Sequence, residues 1–230
     1  MGKESNKGVS VIIPVFNGER YLAETLDSIW AQDYRPLEVI VIDDGSTDHT
    51  AEIARSNPAV IYVHQPNQGH GAAKNAGIAK ARSDFIAFLD ADDLWLPRKL
   101  TLQTDYLLQN PETGYVITHM DVLLEPGVAW PAFLNRQHYL GNPPCFLPSA
   151  LLARRSALEQ IGVFDTSYQH ANDGDWFFRA RDAGISMGIL PDALVRKRIH
   201  GNNLSYDKLI MLETMRVVRN SVKRKQSGAE

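Results

Sequence analysis

The chain has 230 residues, 44% of them hydrophobic and 22% charged, with a net charge of −3. That length suits one large domain or two small lobes and buries roughly 70–75% of the extended-chain surface. The charge balance argues against general nucleic-acid binding. One cysteine, Cys145, leaves no internal disulfide and no zinc cluster, and beside Pro143-Pro144 it reads as a small hydrophobe. No stretch approaches the ~18 apolar residues of a membrane span. Met1 to Gly8 is polar and lacks the apolar core of a secretory signal. Met1-Gly2 opens like a myristoylation site, but Asn6 stands where Ser or Thr is needed. A cytoplasmic protein is expected.

In chain order, the first half alternates strands and helices. Val9–Val15 reads as a buried strand, and a helix follows over Gly18–Gln32, with Asn17 placed to cap it and Leu22, Leu26, Ile29 and Trp30 as its apolar stripe. Glu38–Ile42 is the second strand, Asp43-Asp44-Gly45-Ser46-Thr47 a turn, and Asp48–Ser56 a short helix. Val60–His64 is the third strand. A Gly-rich turn opens a helix over Gly69–Arg82, and Phe85–Leu89 is the fourth strand. This rhythm implies a parallel sheet with right-handed crossovers.

The fourth strand empties into three carboxylates, Asp90, Asp92 and Asp93. Carboxylates at a strand end must be solvated, paired or bound to a cation, because burying them bare is too costly. Strand ends are also where open α/β sheets bind ligands. A divalent ion suits such a cluster, and so does simple capping of the next helix, Leu96–Asn110. An EF-hand is excluded: its Gly would fall at Trp95 and its last Glu at Thr101. Gly69-His70-Gly71-Ala72-Ala73-Lys74 is no dinucleotide fingerprint, since it follows the third strand and ends in Lys. No P-loop pattern exists. The small residues either let the helix pack closely or bring backbone N–H groups and Lys74 near phosphate oxygens.

After Asn110 the rhythm breaks. Residues 123–148 are rich in Pro, Gly and aromatics without a period, and a loop that long is usually functional. A strand over Ser149–Ala153 and helices over Ser156–Ile161 and Asp173–Ala183 follow. Ile185–Leu190 and Leu194–Ile199 read as extended. Tyr206–Lys223 is an amphipathic helix whose stripe of Leu209, Leu212, Met215 and Val218 predicts packing on the body or a homodimer. Peripheral membrane contact is the weaker expectation, since basic residues are few. Lys223-Arg224-Lys225 should fray. Three parts are expected: a nucleotide-binding half (8–120), an acceptor and base half (121–205), and the C-terminal helix with its tail (206–230).

Four segments together resemble the inverting nucleotide-sugar glycosyltransferases of family two, with the GT-A fold. They are Ser10-Val11-Ile12-Ile13-Pro14-Val15-Phe16-Asn17, Val41-Ile42-Asp43-Asp44-Gly45-Ser46-Thr47-Asp48, Lys74-Asn75-Ala76-Gly77-Ile78 leading to Phe88-Leu89-Asp90-Ala91-Asp92-Asp93, and Asn172-Asp173-Gly174-Asp175-Trp176 with Arg179. The resemblance implies a Rossmann-like, mostly parallel sheet with helices on both faces and a smaller acceptor-side region. It implies transfer of a sugar from a nucleoside diphosphate donor, UDP-linked by preference, to a saccharide, lipid-linked or peptide hydroxyl. Pro14, Asn17, Asp43, Asp44, Lys74 and Asp90 would bind the nucleotide sugar. Asp43 is the first choice for uracil, while Asp44 suits an Asx-turn holding Gly45-Ser46. Asp90, Asp92 and His200 would hold Mn²⁺ or Mg²⁺, with Asp93 in support; His200 also reads as a solvated loop residue.

An acceptor hydroxyl needs a base. The family's Glu-Asp pair matches Asn172-Asp173 here, so Asp173 is the implied base, and Asn172 departs from the pattern. Asp175 would bind backbone or acceptor, and Trp176 would be an acceptor platform or core. The alternatives are an inactive nucleotide-sugar-binding protein, a nucleotidyltransferase, or a glycosidase with paired carboxylates. The last leaves Asp43 unexplained.

Overall fold

The structure is a computed structural model that describes residues 8–132, 134–201, 203 and 209–227. The expectations for Met1-Gly2 and for a helix start at Tyr206 fall outside these residues.

Strand β1 (Val9–Val15) is buried along its whole length. It lies parallel to β2 (Leu37–Asp43) on one side and to β4 (Phe85–Phe88) on the other, with β3 (Val60–His64) outside β2. Strands covered on both faces read as continuous apolar runs, which is why β1, β2 and β4 were visible in the sequence; β3 is a partly exposed edge strand, legible from its β-branched and aromatic run Val60-Ile61-Tyr62-Val63. Helices α1 (Leu22–Trp30), α2 (Thr50–Arg55) and α3 (His70–Lys80) connect them. In α3 the small residues serve packing: a Cβ on Gly77 would lie 2.3 Å from Ile12 Cγ2 of β1. Helix α1 starts at Leu22, not Gly18, and Asn17 does not cap it. Asn17 sits at φ 51° in the loop before the helix.

The sheet does not end with this half. After β5 (Leu94–Trp95) and α4 (Lys99–Gln109) come β6 (Thr113–Leu124), α5 (Arg136–Leu140), a 3-10 turn over Pro148–Ala150, and β7 (Leu152–Arg154). Then follow α6 (Arg155–Ile161), α7 (Asn172–Asp182), β8 (Ser186–Ile199) and α8 (Leu209–Ser227). One eight-stranded sheet results, in the order β3-β2-β1-β4-β7-β6-β8-β5. β7 pairs antiparallel with β4 and with β6, and so welds the two halves into one mixed, mostly parallel sheet. The expected boundary at 120/121 falls inside β6.

Three further elements differ from the sequence reading. Strand β6 carries Thr, His and Asp among its apolar residues, so its period is blurred. β8 is one strand through Pro191, and its pairing with β6 shifts register at His119. Helix α4 begins at Lys99, because Arg98 takes a left-handed conformation (φ 67°) just before it. The acidic triplet therefore ends six residues ahead of that helix and does not cap it. Cys145 is buried as expected, and burial pushes its thiol up to about 12.

Candidate active site

The chain leaves β4 with the Leu89 N–H bonded to Ile12 O of β1. It then turns back, Asp93 N–H donating to Asp90 O. This turn gathers oxygens of Asp90, Asp92 and Asp93 within 4.8 Å of one another. Three like charges at that spacing need compensation. It comes from Lys197 on β8, whose Nζ lies 3.2 Å from Asp93 and 3.8 Å from both Asp90 and Asp92.

The three carboxyls then diverge. Asp93 is fully buried; it accepts from Ser149 Oγ (2.8 Å) and from Arg198 N–H (3.1 Å). Burial, with Asp92 and Asp90 adding to it, pushes Asp93 up to about 7. Burial also opposes charge on Asp90, but His70, Lys197 and Lys74 outweigh it and hold that carboxyl well below the usual range. For Asp92 the same penalty is overcome by Lys197 and His200. So Asp93 ties the turn to β8 and to the 3-10 turn, while Asp90 and Asp92 stay ionised toward the cleft.

The donor set fits a divalent cation. Asp90 Oδ1 is buried and has no hydrogen bond; His70 Nε2 stands 3.4 Å away. Asp92 Oδ2 meets His200 Nε2 at 2.9 Å, and Asn203 Nδ2 lies 3.3 Å from the same oxygen. Carboxylate oxygens suit Mn²⁺ or Mg²⁺, and an imidazole beside them suits Mn²⁺ better than Mg²⁺. His200 is thus brought to Asp92 rather than left in a solvated loop, and its ring packs 5.0 Å from that of Tyr21. Arg198 fixes this arrangement. Its guanidinium reaches Glu24, Glu125 and the Asp92 carbonyl, and lies 4.6 Å above the Tyr21 ring.

At the end of β2, Asp43 Oδ1 accepts from Ser46 N–H (2.8 Å) and Oδ2 from Tyr62 Oη (2.5 Å). Asp43, not Asp44, thus holds the Gly45-Ser46 turn, through the N–H three residues on. Asp44 instead accepts from Gln68 N–H, Gly69 N–H and Gln65 Nε2, and so shapes the loop into α3. Burial disfavours the charge on Asp43, but Ser46, Tyr62 and His64 outweigh it and hold the carboxyl low. Asn17 bonds to the same turn, through its Oδ1 to Thr47 N–H and its N–H to Ser46 Oγ. Pro14 is buried inside β1, opposite Ile42. Phe16, half exposed at the end of β1, offers an aromatic face that the sequence reading passed over.

The third station is the start of α7. Lys74, fully buried on α3, donates to Asn172 Oδ1 (2.6 Å) and to the Asp173 carboxylate. Its Nζ also lies 4.2 Å from the Phe164 ring centroid. Lys74 is thus bound to the candidate base and is not a free phosphate ligand. Asn172 takes part in the same contact, which gives a role to the residue that departs from the family pattern. Of the two alternatives expected for Asp175 and for Trp176, the structure takes the packing one in each case. Asp175 is buried and pairs with Arg179 Nε at 2.7 Å, and Arg179 reaches the carbonyls after α6. Trp176 is fully buried, with its Nε1 on Gly162 O and its ring edge-on to Tyr115. Both are packing residues because they sit on the inner side of α7. Lys197 and Ser149 were missed. The signal for Lys197 was available: Arg196-Lys197-Arg198 is a basic run in an extended segment, opposite an acidic one.

The family model described as Glycosyl transferase family 2 matches residues 10–162. An uncharacterized glycosyltransferase of Nostoc sp. is 32% identical over 85% of this chain and 66% of its own length. One from Rickettsia prowazekii is 31% identical over 89% of this chain and 68% of its length. Among solved structures, S. aureus TarS in complex with UDP-GlcNAc superposes with a TM-score of 0.78 at 22% identity, covering 94% of this chain and 66% of that one. The mannosyltransferase PcManGT from Pyrobaculum calidifontis, in complex with GDP-Man and Mn²⁺, gives 0.74 at 22% identity over 94% and 64%. The chain spans about two thirds of the length of these relatives.

Proposed function

Since the chain belongs to glycosyl transferase family 2, we propose that it moves a sugar from a nucleoside diphosphate sugar to an acceptor hydroxyl with inversion. The observation that carries this reading is Lys74. Its ammonium holds Asp173 and also acts electrostatically on Asp90. One buried side chain thereby holds the base and lends positive charge to one carboxyl of the acidic turn.

In this mechanism Asp173 takes the acceptor proton as the hydroxyl attacks opposite the leaving diphosphate; no second nucleophile is needed. Lys74 and Asn172 orient Asp173. Asp90, Asp92 and His200 would hold a divalent ion, which supplies charge neutralisation for the leaving diphosphate, worth several kcal/mol. Asp93 and Lys197 keep the acidic turn in shape. The base of the nucleotide would lie at the turn after β2. There Asp43, whose two oxygens can accept more than the bonds from Ser46, Tyr62 and His64, accepts a ring N–H, with Phe16 as a stacking face. The neighbouring fold carries UDP-GlcNAc in TarS and GDP-Man in PcManGT, so both bases belong in the test, with a UDP donor the preferred reading. The acceptor is a saccharide, lipid-linked or peptide hydroxyl, chosen by residues 123–148.

The experiment is a donor screen that follows UDP or GDP release with Mn²⁺, with Mg²⁺ and with EDTA. Release that depends on the metal supports the proposal; equal release or none in all three overturns it. NMR of the product from an α-linked donor should show a β linkage.

A further inference from the structure

Glu213 is a buried carboxylate that the mechanism above does not use. It lies on α8, on the side facing the body, one turn from Val217 and two turns from Asn220. Its Oε1 accepts from Gln169 N–H at 2.8 Å, and its Oε2 from His170 N–H at 2.7 Å and Ala171 N–H at 2.9 Å. Three successive backbone N–H groups thus close around one anion, at the N-terminal end of α7, where the helix field also favours negative charge. Burial opposes the charge, but the three donors outweigh it and hold the carboxyl low. Asn172 and Asp173 follow directly.

Other α8 side chains brace the same segment. Arg216 donates to Ser167 O at 2.8 Å, and its guanidinium sits 3.8 Å from the Tyr168 ring centroid. Asn220 donates to Tyr168 Oη at 2.9 Å.

We propose that Glu213 is a positioning residue for the general base: it fixes the backbone of residues 169–171 so that Asp173 meets the acceptor hydroxyl at the correct place. The inference rests on the reading of Asp173 as the base. Asp173 is then set from two sides, its side chain by Lys74 and the backbone leading into it by Glu213. Misplacing a reacting group by about 1 Å costs on the order of 100-fold in rate. A carboxylate that grips only the backbone acts by setting its shape.

The test uses the full chain with Mn²⁺, and UDP-GlcNAc and GDP-mannose as probes, with nucleotide release followed. Glu213→Gln should lower kcat by about 10- to 100-fold and leave UDP affinity at the wild-type value. Glu213→Asp, which keeps the charge, should recover part of the loss. Leu212→Ala, on the outer face of the same helix, should leave turnover unchanged. The sharpest readout is the double variant. Because Glu213 acts only through Asp173, Asp173→Asn combined with Glu213→Gln should be no slower than Asp173→Asn alone. If Glu213→Gln does not fold, Glu213→Asp carries the same comparisons. Wild-type turnover in Glu213→Gln, a parallel loss of UDP affinity, or full multiplication of the two effects would overturn the inference alone. A wild-type chain that releases no nucleotide from either probe overturns the reading of the reaction, and the inference with it.

Discussion

The two carboxylate stations of the cleft are built in opposite ways. At the end of β4, three acids crowd together and are kept in place by charge: Lys197 from β8, with His70 and His200 at the edges. At the start of α7, Asp173 is the carboxylate set on Lys74, and the segment before it is fixed by backbone hydrogen bonds to Glu213. The first station is a local turn that one strand supplies almost whole. The second is assembled from α3, α7 and α8, elements far apart in sequence. A site that gathers several carboxylates suits a cation and a diphosphate; a site that orients a single carboxylate on one ammonium suits proton transfer.

This contrast predicts different failures. Asp173→Asn keeps size and removes basicity, so transfer should slow by about 10²–10⁴-fold while UDP binding is spared. Kinetics beside calorimetry would show it, and near-normal turnover would remove Asp173 from the mechanism.

Lys197→Met strips the only cation that touches all three acids among the described residues. It should cost about 3 kcal/mol of stability in EDTA, near the lower end for breaking a buried pair, because part of the side chain is exposed. Mn²⁺ should return part of that loss, read as a rise in melting temperature larger than in the wild type. No Mn²⁺ effect would mean the cluster is a structural ion network.

Within the cluster, Asp92→Asn should weaken Mn²⁺-dependent UDP binding by about 10–100-fold, and Asp93→Asn much less. Asp93→Asn should instead change the pH dependence of folding. A carboxyl raised to about 7 binds more protons folded than unfolded between pH ~4 and ~7. Its contribution to stability is therefore present at the acid end of that window and declines as pH rises. Melting curves in EDTA across pH 4–8 should lose that decline in Asp93→Asn.

The smallest effect concerns the turn after β2. UDP should displace a bound nucleotide about tenfold better than CDP, about one hydrogen bond's worth, because cytosine lacks the ring N–H that Asp43 would accept. Equal competition by CDP would remove Asp43 from base recognition.

The α8 stripe is a separate case. Leu212, Met215 and Val218 face outward, and Glu213, Val217 and Ser221 face the body. The expected packing of that stripe on the body is therefore reversed, and what remains is a proposal of a homodimer or of peripheral membrane contact. No helix among the described residues is long and apolar enough to cross a membrane.

The sequence by itself determined β1 to β4, because each is a short apolar or β-branched run that ends at turn residues, whether buried on both faces like β1 and β4 or at the sheet edge like β3. It also determined the acidic turn, since Asp90, Asp92 and Asp93 are consecutive enough to share one turn wherever the chain goes. The match of four ordered segments to the family was legible for the same reason: each is local. What only the tertiary structure decided is which charges meet. Asp175 and Asp173 look alike in sequence, but α7 turns the first to Arg179 in the interior and the second to Lys74 at the cleft. Lys197, Glu213 and Lys74 reach their partners across 104, 42 and 99 positions of chain. Such pairs carry no period and no spacing. They exist because the sheet continues through β7 into the second half, bringing β8 to the acidic turn, and because α8 lies against α7.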